Sequence, residues 1–302
     1  MPGAGPLPNV FVVGDAKCGT TSLHRIFELA PAVGTPRTRK ELHWFSAPEL
    51  VAATAGPGDD AIPPAIVHTE AEYCAEFAHL PRDLPVIADV SPSYLRNPEA
   101  TRRLHAFAPD ARIVILLREP AAKVFSQYVH LWTAGRETVP FEEAFALSAD
   151  RRAAGFSDMF DYEGGGYYAA SVARYLDLFG PDRVLVVLFE EMIRDMVPVR
   201  TRLEAFLGVP LPATELPQTN AGGRAKSPLV AALLGNERLR KSLRAALPLG
   251  LRTRLATKVR GAVAFEKPEL QPELRASLRS RYARDVADLE VLLGRPTGWL
   301  AA

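Results

Sequence analysis

Four short apolar runs, none longer than six residues, punctuate the first two thirds of the chain: Val10–Val13, Pro85–Val90, Arg112–Leu117 and Val184–Phe189. A continuously apolar run of that length suits a strand covered on both faces, the signature of a parallel sheet. Helical periodicity fills the gaps. Leu23, Ile26, Phe27 and Ala30 repeat until Pro31, a helical pattern follows Pro120, another runs from Tyr167 to Phe179 before Gly180-Pro181, and a third from Glu191 to Leu207. Strands alternating with helices predict a three-layer α/β fold with a central, mainly parallel sheet flanked by helices. In such sheets ligands bind at the C-terminal strand ends, so the polar residues closing each run are the first candidates for chemistry.

Residues 46–84, rich in Ala, Pro and acids, read as an irregular surface excursion, and 211–220 as a Pro/Thr loop. No internal repeat or second core is evident. The expectation is one domain over 1–302, with a core in 9–227 and a basic helical segment, 228–302, packed on it.

A formal net charge of +1 over 302 residues argues against binding duplex nucleic acid by phosphate neutralisation. No apolar run approaches the ~18–20 residues that span a bilayer. The opening Met1-Pro2-Gly3-Ala4-Gly5-Pro6 lacks the pattern of a secretory signal, so a cytoplasmic location is expected. Two cysteines, Cys18 and Cys74, exclude a disulfide framework or a Cys-rich zinc site. The mean charge hides unevenness, however. Between Gly222 and Phe265 ten basic residues face one acid, so this segment carries +9 and the remainder −8. A solvated helix face explains that run; a lid over an anionic ligand, or a peripheral contact with an anionic surface, is the sharper alternative.

The turn after the first strand, Gly14-Asp15-Ala16-Lys17-Cys18-Gly19-Thr20-Thr21-Ser22, joins a buried strand to a helix. Its glycines permit close backbone approach, the helix N-terminus directs N–H groups and positive potential at one spot, and Lys17 with three hydroxyls completes a phosphate-binding pattern. A tight turn with ordinary caps would need only a glycine and one hydroxyl. Gly14 and Gly19 have the spacing of the nucleoside-triphosphatase loop, but Thr20 stands where that motif needs lysine. The strongest strand also ends in Arg118 instead of a magnesium-binding aspartate. A divergent P-loop kinase is therefore the runner-up, and a catalytically inactive phosphonucleotide-binding protein the third reading.

GDAKCGTTSLHRIF resembles the 5′-phosphosulfate loop of the sulfotransferases that use 3′-phosphoadenylyl sulfate (PAPS). Arg118-Glu119-Pro120 with Ser126-Gln127-Tyr128 is similar to that family's 3′-phosphate site, and Lys40-Glu41-Leu42-His43-Trp44-Phe45 to a segment of its glycan (heparan-type) members. Ser91-Pro92-Ser93-Tyr94 and Gly166-Tyr167-Tyr168 also match. The resemblance implies a P-loop-like fold and a sulfotransferase with PAPS as cosubstrate, 3′-phosphoadenosine 5′-phosphate (PAP) as product, and no metal. It implies that Lys17 is catalytic and that Lys17, Cys18, Gly19, Thr20, Thr21 and Ser22 hold the 5′-phosphate. Arg118 and Ser126 would hold the 3′-phosphate, and Arg224 would close over the nucleotide. Glu41 matches the glycan-type base, while His43 competes for that role because imidazole exchanges protons near neutral pH. The expected acceptor is a small molecule, lipid or glycan. Trp44, Phe45 and Trp132 line an acceptor pocket on one reading and pack in the core on the other.

Overall fold

A computed structural model describes residues 5–213, 224–225, 265–266 and 268–300. Strands β1 (Val10–Val12), β2 (Val33–Gly34), β3 (Val86–Val90), β4 (Arg112–Leu117) and β5 (Val184–Leu188) form one sheet in the order β2-β3-β1-β4-β5. Every pairing is parallel, and Val12 of β1 lies opposite both Val90 and Val114. Alternation of side chains along the strands divides the core into two. Phe11, Val13, Ile87, Ile113, Ile115 and Leu117 face one side, and Val10, Val12, Val86, Ala88, Val114 and Leu116 the other.

The helices are α1 (Thr20–Glu28), α2 (Ala47–Ala52), α3 (Glu70–Ala75), α4 (Pro98–Phe107), α5 (Pro120–Thr133), α6 (Phe141–Ala146), α7 (Ser148–Ala153), α8 (Ala169–Phe179), α9 (Phe189–Arg194), α10 (Met196–Leu207) and α11 (Pro272–Leu293). Leu104 of α4, Val124 of α5, Val172 of α8 and Tyr282 of α11 pack on the first face; Phe27 of α1, Met192 of α9 and Leu203 of α10 pack on the second. The expected three layers result. No helix among the described residues is long and apolar enough to cross a membrane.

Three expectations need correction. Residues 46–84 are not a mere surface excursion: Ile66, Val67, Tyr73 and Phe77 are buried, and α3 starts at a capping box in which Thr69 and Glu72 exchange hydrogen bonds. Composition hid this because the apolar residues are sparse and spaced by turns. The Glu191–Leu207 helix is two helices, broken at Asp195, whose carboxylate accepts from Val197 N–H at 2.9 Å. Finally, Phe189 opens α9 instead of ending β5, and the two-residue β2 is too short for periodicity to register.

Arg224 and Ala225 pair antiparallel with Phe265 and Glu266 in a separate two-stranded ladder. The remainder of the basic 222–265 segment, and most of the 211–220 loop, lies outside the described residues.

Candidate active site

Because β1, β3 and β4 are neighbours, the loops leaving their C-terminal ends meet at one edge of the sheet. These are the 14–19 loop, the 91–94 turn and Arg118-Glu119.

The 14–19 loop turns sharply. Lys17 adopts φ 70°, and Gly19 φ 93° immediately before α1. A Cβ on Gly19 would stand 2.8 Å from Cδ2 of Phe189, so glycine is required there by contact as well as by backbone angle. No side chain caps α1, and no acid occupies its first turn, which leaves that end suited to an external anion. Thr20 is buried and Ser22 half-buried, while Thr21 is exposed. Cys18 is fully buried, its Sγ 3.8 Å from the Ala16 carbonyl, and burial pushes its thiol up to about 12. Its side chain therefore points into the core, and only its backbone can serve a ligand.

The 40–45 segment lies across the loop. Lys40 Nζ donates to Thr21 Oγ1 at 2.9 Å and to Glu41 Oε1 at 2.6 Å, and approaches Thr20 Oγ1 at 3.4 Å. His43 Nε2 is 3.2 Å from the other oxygen of Glu41, and its Nδ1 is 2.7 Å from Ser93 Oγ. Burial alone would raise the Glu41 pKa, but the His43 hydrogen bond and the Lys40 charge outweigh it and hold the carboxyl at about 2. The two candidate bases are thus one hydrogen-bonded pair.

The backbone beneath that pair is fixed from β3. Leu42 N–H and His43 N–H donate to Ser91 Oγ at 3.1 and 3.2 Å, and Ser91 donates to buried Asp89 at 2.6 Å. Tyr73 and Tyr94 donate to the second Asp89 oxygen. Burial raises the Asp89 pKa, against the pull of these three donors. His43 sits at φ 55°; among the described residues only it and Lys17 hold positive φ without being glycine. Backbone strain thus coincides with two sequence-predicted catalytic residues, and their surroundings over-determine it.

Arg118, at the end of β4, reaches back to the loop: its Nη1 donates to the Lys17 carbonyl at 3.3 Å and its guanidinium lies 4.7 Å over the Phe189 ring. The two motifs expected to bind anions therefore touch. Ser126 is half-buried in the second turn of α5. The backbone of Arg224 lies in the small ladder, apart from the five-stranded sheet. Trp44 and Phe45 pack with Tyr73 and Phe107, and both line a cavity of about 400 Å³ that Pro48, Val51, His68 and Arg103 complete.

Sequence reasoning assigned no role to Lys40, to the Ser91–Ser93 support, or to the buried pair Asp15–Lys123, whose charged atoms are 2.7 Å apart. Lys40 adjoining Glu41, and Asp89 inside an apolar strand, were the available signals; Lys123 looked like an ordinary helix lysine.

Residues 8–213 match the sulfotransferase family. A sulfotransferase from Alicyclobacillus acidocaldarius shares 33% identity and superposes with a TM-score of 0.75, covering 97% of this chain and 98% of that one. Among curated proteins, human bifunctional heparan sulfate N-deacetylase/N-sulfotransferase 3 is 23% identical over 214 residues, 67% of this chain and 22% of that protein. Human heparan sulfate glucosamine 3-O-sulfotransferase 6 is 25% identical over 217 residues, 69% of this chain and 54% of that protein. The chain thus spans about a fifth of the first relative and about half of the second. With the loop, the 40–45 segment and Arg118 all inside the matched residues, this chain belongs to the sulfotransferase family.

Proposed function

We propose that the chain transfers a sulfuryl group from PAPS to a hydroxyl, less readily an amine, of a small-molecule, lipid or glycan acceptor, releasing PAP. The observation that carries this reading is the Lys40 ammonium, which touches Thr21 of the loop and Glu41 of the base pair at once. Donor loop and proton acceptor are therefore one side chain apart.

In this reading the uncapped N-terminus of α1, with Thr20, Thr21 and Ser22, holds the 5′-phosphate. Lys17 stabilises the charge that grows on the departing phosphate, an interaction stronger in the transition state than in the ground state. Arg118 with Ser126 takes the 3′-phosphate, since a guanidinium fork suits a dianion, and Arg224 closes over the nucleotide. Glu41 removes the acceptor proton and His43, held by Ser93, orients its carboxylate. A carboxyl held at about 2 by the His43 hydrogen bond and the Lys40 charge is a weak base. An anion in the loop competes for Lys40, so donor binding would return the Lys40 share of that lost proton affinity to Glu41.

The heparan sulfate relatives favour a glycan within the acceptor range. We place the reaction in the cytoplasm, where a reduced Cys18 and Cys74 fit. The single-domain reading draws support from α11, whose Leu278, Tyr282, Val286 and Leu289 join the main core. The test supplies radiolabelled PAPS, an extract of the source organism as acceptor, and wild-type or Lys17→Ala protein. Label should pass to an acceptor with wild type and fall at least about a hundredfold with the variant; equal labelling by a folded Lys17→Ala would refute the mechanism.

A further inference from the structure

Helix α11 lies beyond the residues matched to the family, yet it spends polar side chains on the turn that carries Arg118. Covering the core needs only its stripe of Leu278, Tyr282, Val286 and Leu289. Three further sets of contacts all converge on Arg118-Glu119. Arg275 Nη1 and Arg279 Nε donate to the two oxygens of Glu119 at 3.1 and 2.8 Å. Glu119 is buried, and its carboxylate also caps α5 by accepting from Ala122 N–H at 2.8 Å. Asp285 accepts from the N–H groups of Tyr168 and Ala169 at 2.7 and 3.2 Å, and the Tyr168 hydroxyl donates to the Arg118 carbonyl at 2.9 Å. Past the helix, Trp299 Nε1 donates to Glu190 at 3.2 Å, and the other Glu190 oxygen accepts from Glu119 N–H at 3.0 Å.

The Arg118 carbonyl, the Glu119 N–H and the Glu119 carboxylate are thus each tied, directly or through one residue, to 272–300. Such convergence fixes the backbone from which the Arg118 guanidinium projects, and it neutralises a buried carboxylate next to a proposed phosphate site. We infer that α11 is part of the nucleotide site, with Arg275 and Arg279 acting as positioning residues that aim Arg118 at the 3′-phosphate of the donor. This rests on the reading of Arg118 given above.

The test compares binding of PAP and of adenosine 5′-monophosphate, which lacks the 3′-phosphate, by calorimetry on the full chain. The ratio of the two affinities isolates the 3′-phosphate site, a quantity that general loosening of the fold does not move selectively. Three proteins are measured beside wild type: Arg118→Met, Arg275→Met/Arg279→Met, and Arg279→Met alone, which leaves Arg275 on the same carboxylate should the double variant not fold. Near-UV circular dichroism checks folding.

The inference expects Arg118→Met to abolish the preference for PAP. It expects the double variant to lower that preference between about tenfold and a hundredfold, with monophosphate affinity within about twofold of wild type. Arg279→Met should fall between. If Arg118→Met abolishes the preference while folded α11 variants keep it, or lose both ligands equally, the positioning role is overturned and the nucleotide reading stands. If Arg118→Met keeps the preference, the 3′-phosphate reading fails and the inference with it.

Discussion

Lys123 is the side chain whose removal the structure makes most informative. Its ammonium is fully buried on α5, 2.7 Å from Asp15 Oδ2 and 2.7 Å from Gln127 Oε1, while Asp15 is only 6% exposed. Gln127 is fixed in turn by donating to the Asp158 and Met159 carbonyls. Lys123→Met removes the ammonium paired with a buried carboxylate that also accepts the Ala16 N–H, at 2.6 Å. Breaking a buried pair from one side typically costs about 3–5 kcal/mol. The Lys123 contact is ionic and not an aligned hydrogen bond, leaving Asp15 Oδ2 without a donor, so the figure should lie nearer ~3 kcal/mol. For a chain of this size that lowers the melting temperature by roughly 5 °C. Urea unfolding of wild type, Lys123→Met, Asp15→Asn and the double variant closes a thermodynamic cycle. The double variant, which lacks both charges of the pair, should be more stable than the summed single effects by about 2 kcal/mol. Additivity within about 0.5 kcal/mol would refute the reasoning that these charges depend on each other.

Other outcomes follow from single contacts. A Cβ on Gly166 would lie 2.2 Å from Cζ of buried Tyr282, so Gly166→Ala should destabilise by at least about 1–3 kcal/mol in thermal unfolding, and Tyr282→Leu in the same chain should recover part of it. Cys18 is buried with a thiol pushed up to about 12, whereas Cys74 is half-buried, so a thiol reagent should label one cysteine in the native protein and two after denaturation. Glu41 is held at about 2 against an ordinary value of 4.5, so its stabilisation is complete above about pH 4.5 and lost as pH falls through about 2. Because a third of this side chain is exposed, screening reduces the effect to about 1–2 kcal/mol; acid titration of stability should show that difference between wild type and Glu41→Gln vanish below about pH 2.

Part of the candidate site's placement was legible in the sequence. Lys17 and Arg118 follow the ends of the buried strands β1 and β4, which apolar runs bounded by Gly or Pro locate without tertiary knowledge, whereas Glu41 and His43 were marked only by the resemblance of the 40–45 segment. Thr20 and Thr21 were likewise marked by the strand–turn–helix pattern, and the structure brings both to Lys40. Cys18 was expected to serve through the loop backbone; that its side chain is buried was not legible, because a loop sequence does not reveal which way a side chain points.

By itself the sequence determined the layers and the chemistry offered at their edge, because hydrophobic period and turn residues act over a few neighbouring positions. Tertiary structure decided which of those groups meet. Glu41 and His43 became a pair only when Ser91 and Ser93 of a distant turn held His43 at positive φ. Lys123 became the counter-charge of Asp15, and Arg279 the partner of Glu119, across 108 and 160 positions of chain. Such partners carry no local signature: an arginine on a solvated helix and one gripping a buried carboxylate read alike until burial sets the dielectric around them.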